Sequence, residues 1–209
     1  MKASLPPQAA PRSTPETRAR NTGTKPYRMP FTVIVDTREG APFLFDHLEG
    51  ASKFDYRPFI VPVERSCLKT GDYSVKGFSV PSQFNNFKAV VIERKSIDDL
   101  FGSLGRYDNR RDRFRAEHER MMEIMLHGGR AMVVIEAEYR SVEARKGKPG
   151  PPPEDILNSQ VRWFERYNVP WFFMGGRDES EQFIFRTLRN FYELHKHELQ
   201  PEALKESNT

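Results

Sequence analysis

The chain has 209 residues, 37% of them hydrophobic and 16 of them Phe, which suits one domain with a real core plus a tail. A single cysteine, Cys67, excludes a disulfide framework and a zinc-finger cluster and points to a reducing, cytoplasmic setting, and no apolar run approaches the roughly 20 residues of a membrane span. The net charge of +4 belongs to residues 1–29, where six bases face Glu16 alone, so the body is slightly acidic and whole-chain basicity says little about nucleic acid.

Residues 1–29, rich in Pro, Ser, Thr and Arg, read as a disordered basic tail. Phe31–Val35 is a β-branched strand candidate that runs into Asp36-Thr37-Arg38-Glu39-Gly40. Charged groups at a strand's C-terminal end mark either a ligand crevice or a polar turn. Ala41–Leu48 is expected to form a short helix. Tyr56–Val63 reads as an edge or irregular strand, because Pro58 and Pro62 cannot donate to a ladder. Gly71-Asp72 then turns into the strand Tyr73-Ser74-Val75, and Gln83–Lys88 reads as a loop.

Ala89–Lys95 follows as a buried strand ending in Glu93, Arg94 and Lys95. Glu93 and Lys95 are two apart, so they leave the same face. A carboxylate there can bind a metal, and an ammonium can stabilise developing negative charge; the alternative is a simple ion pair. Ser96 to Asp99 has the form of a capping box opening a short helix that ends near Gly105. Arg106–Leu126 is a longer helix with the stripe Phe114, His118, Met121 and Met125, which makes His118 a packed core histidine rather than a ligand. Its first turns hold Arg106, Arg110, Arg111 and Arg113, read as a DNA phosphate track against the alternative of a solvated face.

Ala131–Glu136 is a further buried strand and Tyr139–Pro153 an exposed basic loop. Glu154–Tyr167 is a helix with Leu157, Val161 and Phe164 on one side, and Val169–Met174 a last strand. Asp178 to Glu181 resembles a capping box that opens a helix to about Leu199. The apolar set of that helix (Ile184, Phe185, Leu188, Phe191, Tyr192) reads as core or as a surface for a second copy. The predicted fold class is α/β: a central mixed sheet of about five or six strands flanked by helices.

Asp36, Asp72 and Glu93, with Lys95, are what a Mg²⁺-dependent nuclease needs. Val35-Asp36-Thr37-Arg38-Glu39, Gly71-Asp72-Tyr73, and Glu93-Arg94-Lys95 with Asp99 four residues after the lysine resemble the nuclease domain of the XPF-type structure-specific endonucleases. The resemblance implies a restriction-endonuclease-like fold over residues 30–200, a short C-terminal tail at 201–209, and a Mg²⁺- or Mn²⁺-dependent endonuclease acting on branched or flapped DNA. It makes Asp36, Asp72 and Glu93 metal ligands and Lys95 the catalytic lysine. Arg38 and Arg94 would contact phosphate or hold the site together, and Asp99 would support it. Many relatives carry a tandem helix-hairpin-helix domain after the nuclease; this sequence leaves no room for one after residue 200, so a stand-alone form is expected. Family members commonly form homodimers, and the last helix is the expected surface. Two other readings stay open: a non-catalytic DNA-binding or dimer-partner module, and a junction resolvase or mismatch-nicking nuclease of the same fold.

Overall fold

A computed structural model describes residues 24–50, 57–79, 88–105 and 109–199. Most of the 1–29 tail, the loop at 83–87, Arg106 and the segment 201–209 lie outside the described residues. The chain divides into two compact units, residues 1–29 with 44–61 and residues 30–43 with 62–209. In the smaller, strand β1 (Tyr27–Arg28) runs parallel to β3 (Phe59–Ile60). The Arg57 guanidinium lies over the Tyr27 ring at 5.1 Å.

The larger unit holds a six-stranded sheet in the order β4-β2-β5-β6-β7-β8: β2 is Val33–Asp36, β4 Val63–Ser66, β5 Tyr73–Val75, β6 Val90–Ser96, β7 Arg130–Glu136 and β8 Trp171–Phe173. β2 pairs antiparallel with β5 and β5 antiparallel with β6, while β4, β7 and β8 join by parallel pairing. Helices cover both faces: α1 (Ile97–Leu104), α2 (Arg110–Leu126), the short α3 (Tyr139–Glu143), α4 (Pro153–Tyr167) and α5 (Arg177–His195). Ala89 and Val91 beside and on β6, with Val133 and Ile135 of β7, pack with Leu100, Phe114, Met121, Trp163 and Trp171. Alternate strand residues face the other way, where α5 packs against β5, β6 and β7.

Several expectations change. Residues 41–48 form no helix: Arg177 Nη2 takes the carbonyls of Ala41 (2.9 Å) and Pro42 (2.7 Å), Phe43 N donates to Tyr73 Oη (2.9 Å), and Phe45 has φ 53, so tertiary bonds replace helical ones. The 139–153 loop contains α3. Val161 and Phe164 of α4 face solvent, 61% and 47% exposed, because Ile156, Ser159, Trp163 and Tyr167 form the buried side. α5 is capped at Gly176, whose N–H donates to Glu179 Oε2 at 3.1 Å, so Asp178 is not the cap. Ile184, Phe185, Leu188, Phe191 and Tyr192 are all buried in this chain's own core, with Phe31 ringed by Phe185 and Tyr192, which removes them as a surface for a second copy.

Candidate active site

Antiparallel pairing of β5 between β2 and β6 puts the end of β2, the start of β5 and the second half of β6 at one end of the sheet. The backbone records this directly: Asp36 N donates to Asp72 O and Asp72 N to Ile92 O, each at 2.8 Å. Gly71 makes the approach possible. Its φ of +73 is left-handed, and a Cβ there would sit 3.2 Å from Ile92 O and from Val91 Cβ. The result is a cleft of about 310 Å³ lined by Asp36, Arg38, Lys69, Gly71, Asp72 and Glu93 from the sheet end and by Arg113, Ala116, Glu117 and Arg120 from α2.

Asp36 is 1% exposed and fully bonded. Its Oδ1 accepts from Arg38 N and Arg38 Nε at 2.7 Å each, and its Oδ2 from Arg38 Nη2 at 3.0 Å and Leu68 N at 2.6 Å. Burial alone would push this carboxyl up, but the Arg38 and Leu68 donors outweigh it and hold Asp36 below the usual range. Arg38 Nη2 also donates to Leu68 O at 2.6 Å, closing a clasp over the segment that leads to Lys69.

Asp72 and Glu93 behave in the opposite way. Burial pushes Asp72 up to about 7, with the charges of Glu39 and Glu117 adding to it, while the N–H of Arg94, 2.7 Å from Oδ2, and the charge of Lys95 pull the other way. Burial, then the Asp72 charge, also raises Glu93 well above the ordinary range. Lys95 Nζ donates to Glu93 Oε1 at 2.5 Å and lies 4.7 Å from the centre of the Phe114 ring. Burial works against the Lys95 ammonium, but the Glu93 charge outweighs it and raises the lysine, so it stays protonated. One lysine thus bonds Glu93 and lends its charge to Asp72.

A family model described as the ERCC4 domain matches residues 35–187. The chain belongs to the ERCC4 domain family. It is a nuclease-type module, and the resemblance to XPF-type nuclease domains drawn from the sequence holds. XPF from Aeropyrum pernix is similar in fold: TM-score 0.50 at 17% identity, covering 79% of this chain and 67% of that one. The same protein in a complex with DNA gives TM-score 0.49 at 16% identity, over 80% and 66%. No curated protein matches. This ERCC4 domain spans about two thirds of the length of the XPF chains it matches.

The other sequence-selected residues of the ERCC4 domain divide by location. Arg94 leaves β6 on the face opposite Glu93 and Lys95. Its Nε donates to Glu136 Oε1 at 3.1 Å and its Nη1 to Glu39 Oε2 at 3.5 Å. Arg177 joins the same Glu136 oxygen at 3.2 Å, and both guanidiniums lie over the Phe43 ring, at 5.5 and 4.6 Å. This lattice ties β2, β6, β7 and the start of α5 together behind the cleft. Asp99 is exposed in the first turn of α1, where its N–H donates at 3.1 Å to Oγ of Ser96, the cap, and its Oδ2 accepts from Ser96 Oγ at 2.6 Å; it does not line the cleft. Arg113 lines the cleft, Arg110 lines a larger, separate cavity of about 590 Å³ with Phe101, Arg145 and Pro149, and Arg111 lines neither. His118 is wholly buried: its Nδ1 meets Phe114 O at 2.9 Å and its Nε2 accepts from Trp171 Nε1 at 2.8 Å. Sequence reasoning missed Lys69, Glu117 and Arg120. The only signal for the two on α2 was their spacing from Arg113 by one and two turns on the same helix face.

Proposed function

We propose that this ERCC4 domain is a divalent-metal-dependent endodeoxyribonuclease that hydrolyses phosphodiester bonds in branched or single-strand/double-strand junction DNA. The observation that carries the reading is the pair of incompletely compensated carboxylates, the half-buried Asp72 and the buried Glu93, opening on one cleft beside Lys95. Oxygen donors of this kind suit a hard divalent cation, and a second positive charge is what such a pair lacks. Asp72 and Glu93 would hold Mg²⁺ or Mn²⁺, which would supply Lewis acidity toward a phosphate oxygen. Lys95, fixed by Glu93, stabilises charge that builds on the phosphate in the transition state. Arg38, Lys69, Arg113 and Arg120 form a basic rim that grips the flanking phosphates. Recognition runs through backbone shape rather than base edges, since no element among the described residues carries a groove-reading motif.

A homodimer belongs to the same proposal. With the α5 residues named above committed to the core, the exposed apolar side chains that a partner copy could cover include Leu194 near the end of α5, Leu126 at the end of α2, and Val161 and Phe164 of α4. The deciding experiment is a panel of flap, fork, four-way junction, mismatch and plain duplex DNA, incubated with purified protein in Mg²⁺ and in EDTA. Cutting of the flap or fork in Mg²⁺ alone is expected; no cutting of any substrate would sink the enzymatic reading in favour of a DNA-binding module.

A further inference from the structure

Asp72 reaches the cleft from a turn that is held differently on its two sides. From Asp72 onward the sheet fixes the chain: Asp72 N donates to Ile92 O, its carbonyl accepts from Asp36 N, each at 2.8 Å, and its Oδ2 accepts from Arg94 N at 2.7 Å. The incoming side is Thr70 and Gly71, both buried. Gly71 is left-handed with φ +73, and a glycine adds no stiffness of its own there. What holds this side is one side chain of α2. Glu117 Oε1 accepts from Gly71 N at 3.1 Å and from Thr70 Oγ1 at 3.4 Å, across 46 and 47 residues of chain. It is the acceptor of the Gly71 N–H among the described residues, and a buried N–H without one is costly. Arg113 lies four residues before Glu117 and Arg120 three after it, so one face of α2 brings all three to the cleft.

We propose that Glu117 is a positioning residue: it acts through the Gly71-Asp72 turn and fixes Asp72 against the same helix whose Arg113 and Arg120 grip the phosphates. This assignment rests on the nuclease reading above and deepens it. Both donors to Glu117 are neutral, so the role needs an acceptor oxygen and no charge. Phosphate contact and the placement of Asp72 then run through one rigid element, and a shift of α2 would move both together. The arrangement also explains why an acid on a helix of otherwise solvated charges turns inward.

The test compares the full chain as wild type, Glu117→Ala and Glu117→Gln. Amide hydrogen exchange at Gly71, followed by NMR without DNA, reads the pin itself; single-turnover cutting of a saturating flap in Mg²⁺ reads its effect. Glu117→Ala is expected to speed Gly71 exchange about fivefold or more and to slow cutting about 30-fold, with flap affinity no weaker than wild type, since a negative charge has left the rim. Glu117→Gln keeps the acceptor and is expected to restore slow exchange and to recover most of the lost cutting. A slower rate at full affinity, rescued by Gln, is not what a general loss of stability gives. Wild-type exchange at Gly71 or wild-type cutting in Glu117→Ala overturns the assignment, and so does a Glu117→Gln as impaired as Glu117→Ala, which would make the charge the operative property. Should Glu117→Ala fail to fold, Glu117→Gln decides alone: slow exchange with most of the cutting kept supports the pin, and loss of either overturns it. A wild type that cuts no substrate rejects the nuclease reading, and this assignment with it; a wild type that cuts no faster than Glu117→Ala rejects this assignment alone.

Discussion

Lys95 Nζ and Glu93 Oε1 meet at 2.5 Å, both groups leaving the same face of β6 at the sheet end, Glu93 buried and Lys95 half-buried. Glu93 helps to keep the Lys95 ammonium protonated against the cost of burial, while burial and the Asp72 charge still raise Glu93 despite Lys95. Lys95→Met is therefore expected to slow single-turnover cutting of a flap by about 100-fold or more, with DNA affinity within a factor of about three. Single-turnover rates and an equilibrium binding curve on the same substrate check this; cutting at the wild-type rate would remove Lys95 from the reaction.

Gly71 sits at φ +73 with Ile92 O and Val91 Cβ 3.2 Å from where a Cβ would lie. Gly71→Ala is expected to lower stability by about 1–2 kcal/mol, measured by urea unfolding. It should also cost more activity than stability, because the displaced turn carries Asp72 and the N–H that Glu117 accepts. Unchanged cutting in a destabilised variant would separate the turn from the site.

His118 is held neutral. Burial lowers it to about 4 from its ordinary 6.5, and its two ring nitrogens are committed to Phe114 O and Trp171 Nε1. The depressed folded value means that the unfolded chain takes up a proton first. The contribution to stability is complete above pH 6.5 and is lost as pH falls toward 4, amounting to about 3 kcal/mol. Proton NMR of the ring is expected to show no titration of His118 between pH 8 and pH 5; a midpoint near 6.5 would contradict the buried neutral tautomer.

Arg113 lines the cleft and Arg111, two residues earlier, does not. Arg113→Ala is expected to weaken DNA binding and to reduce the slope of log affinity against log salt by about 1, whereas Arg111→Ala leaves that slope closer to wild type. Salt titrations of both variants on one fork substrate decide it. Equal effects would mean that the phosphate path follows the whole start of α2 rather than the cleft.

How far the sequence reached depended on the range of the interaction involved. The order of strands and helices was readable because hydrophobic periodicity is local, and Glu93 and Lys95 share a face by strand geometry alone. The Ser96–Asp99 cap and the buried position of His118 were readable for the same reason. Residues 41–48 were not, because the bonds that displace a helix there come from Tyr73 and Arg177, 30 and more than 130 residues away. Glu117 was hidden in the same way: its partner Gly71 is 46 residues distant, and on α2 it reads as one more charge among many. On α4, Leu157, Val161 and Phe164 fit a helical stripe as well as Ile156, Trp163 and Tyr167 do; only the large ring contacts among Phe114, Trp163 and Trp171 decide which side turns inward.

The two margins of the sheet are unlike. β4 is exposed throughout and carries Glu64, paired with Lys76 at 3.3 Å, and Arg65, whose Nη2 reaches the carbonyls of Thr37 at 3.1 Å and Glu39 at 2.8 Å. β8 is Trp-Phe-Phe. Charge of this kind discourages a foreign strand from adding on, whereas an aromatic margin does not. A strand approaching the β4 margin would meet charge, and one approaching β8 would meet rings; a pairing confined to the β8 margin would be self-limiting.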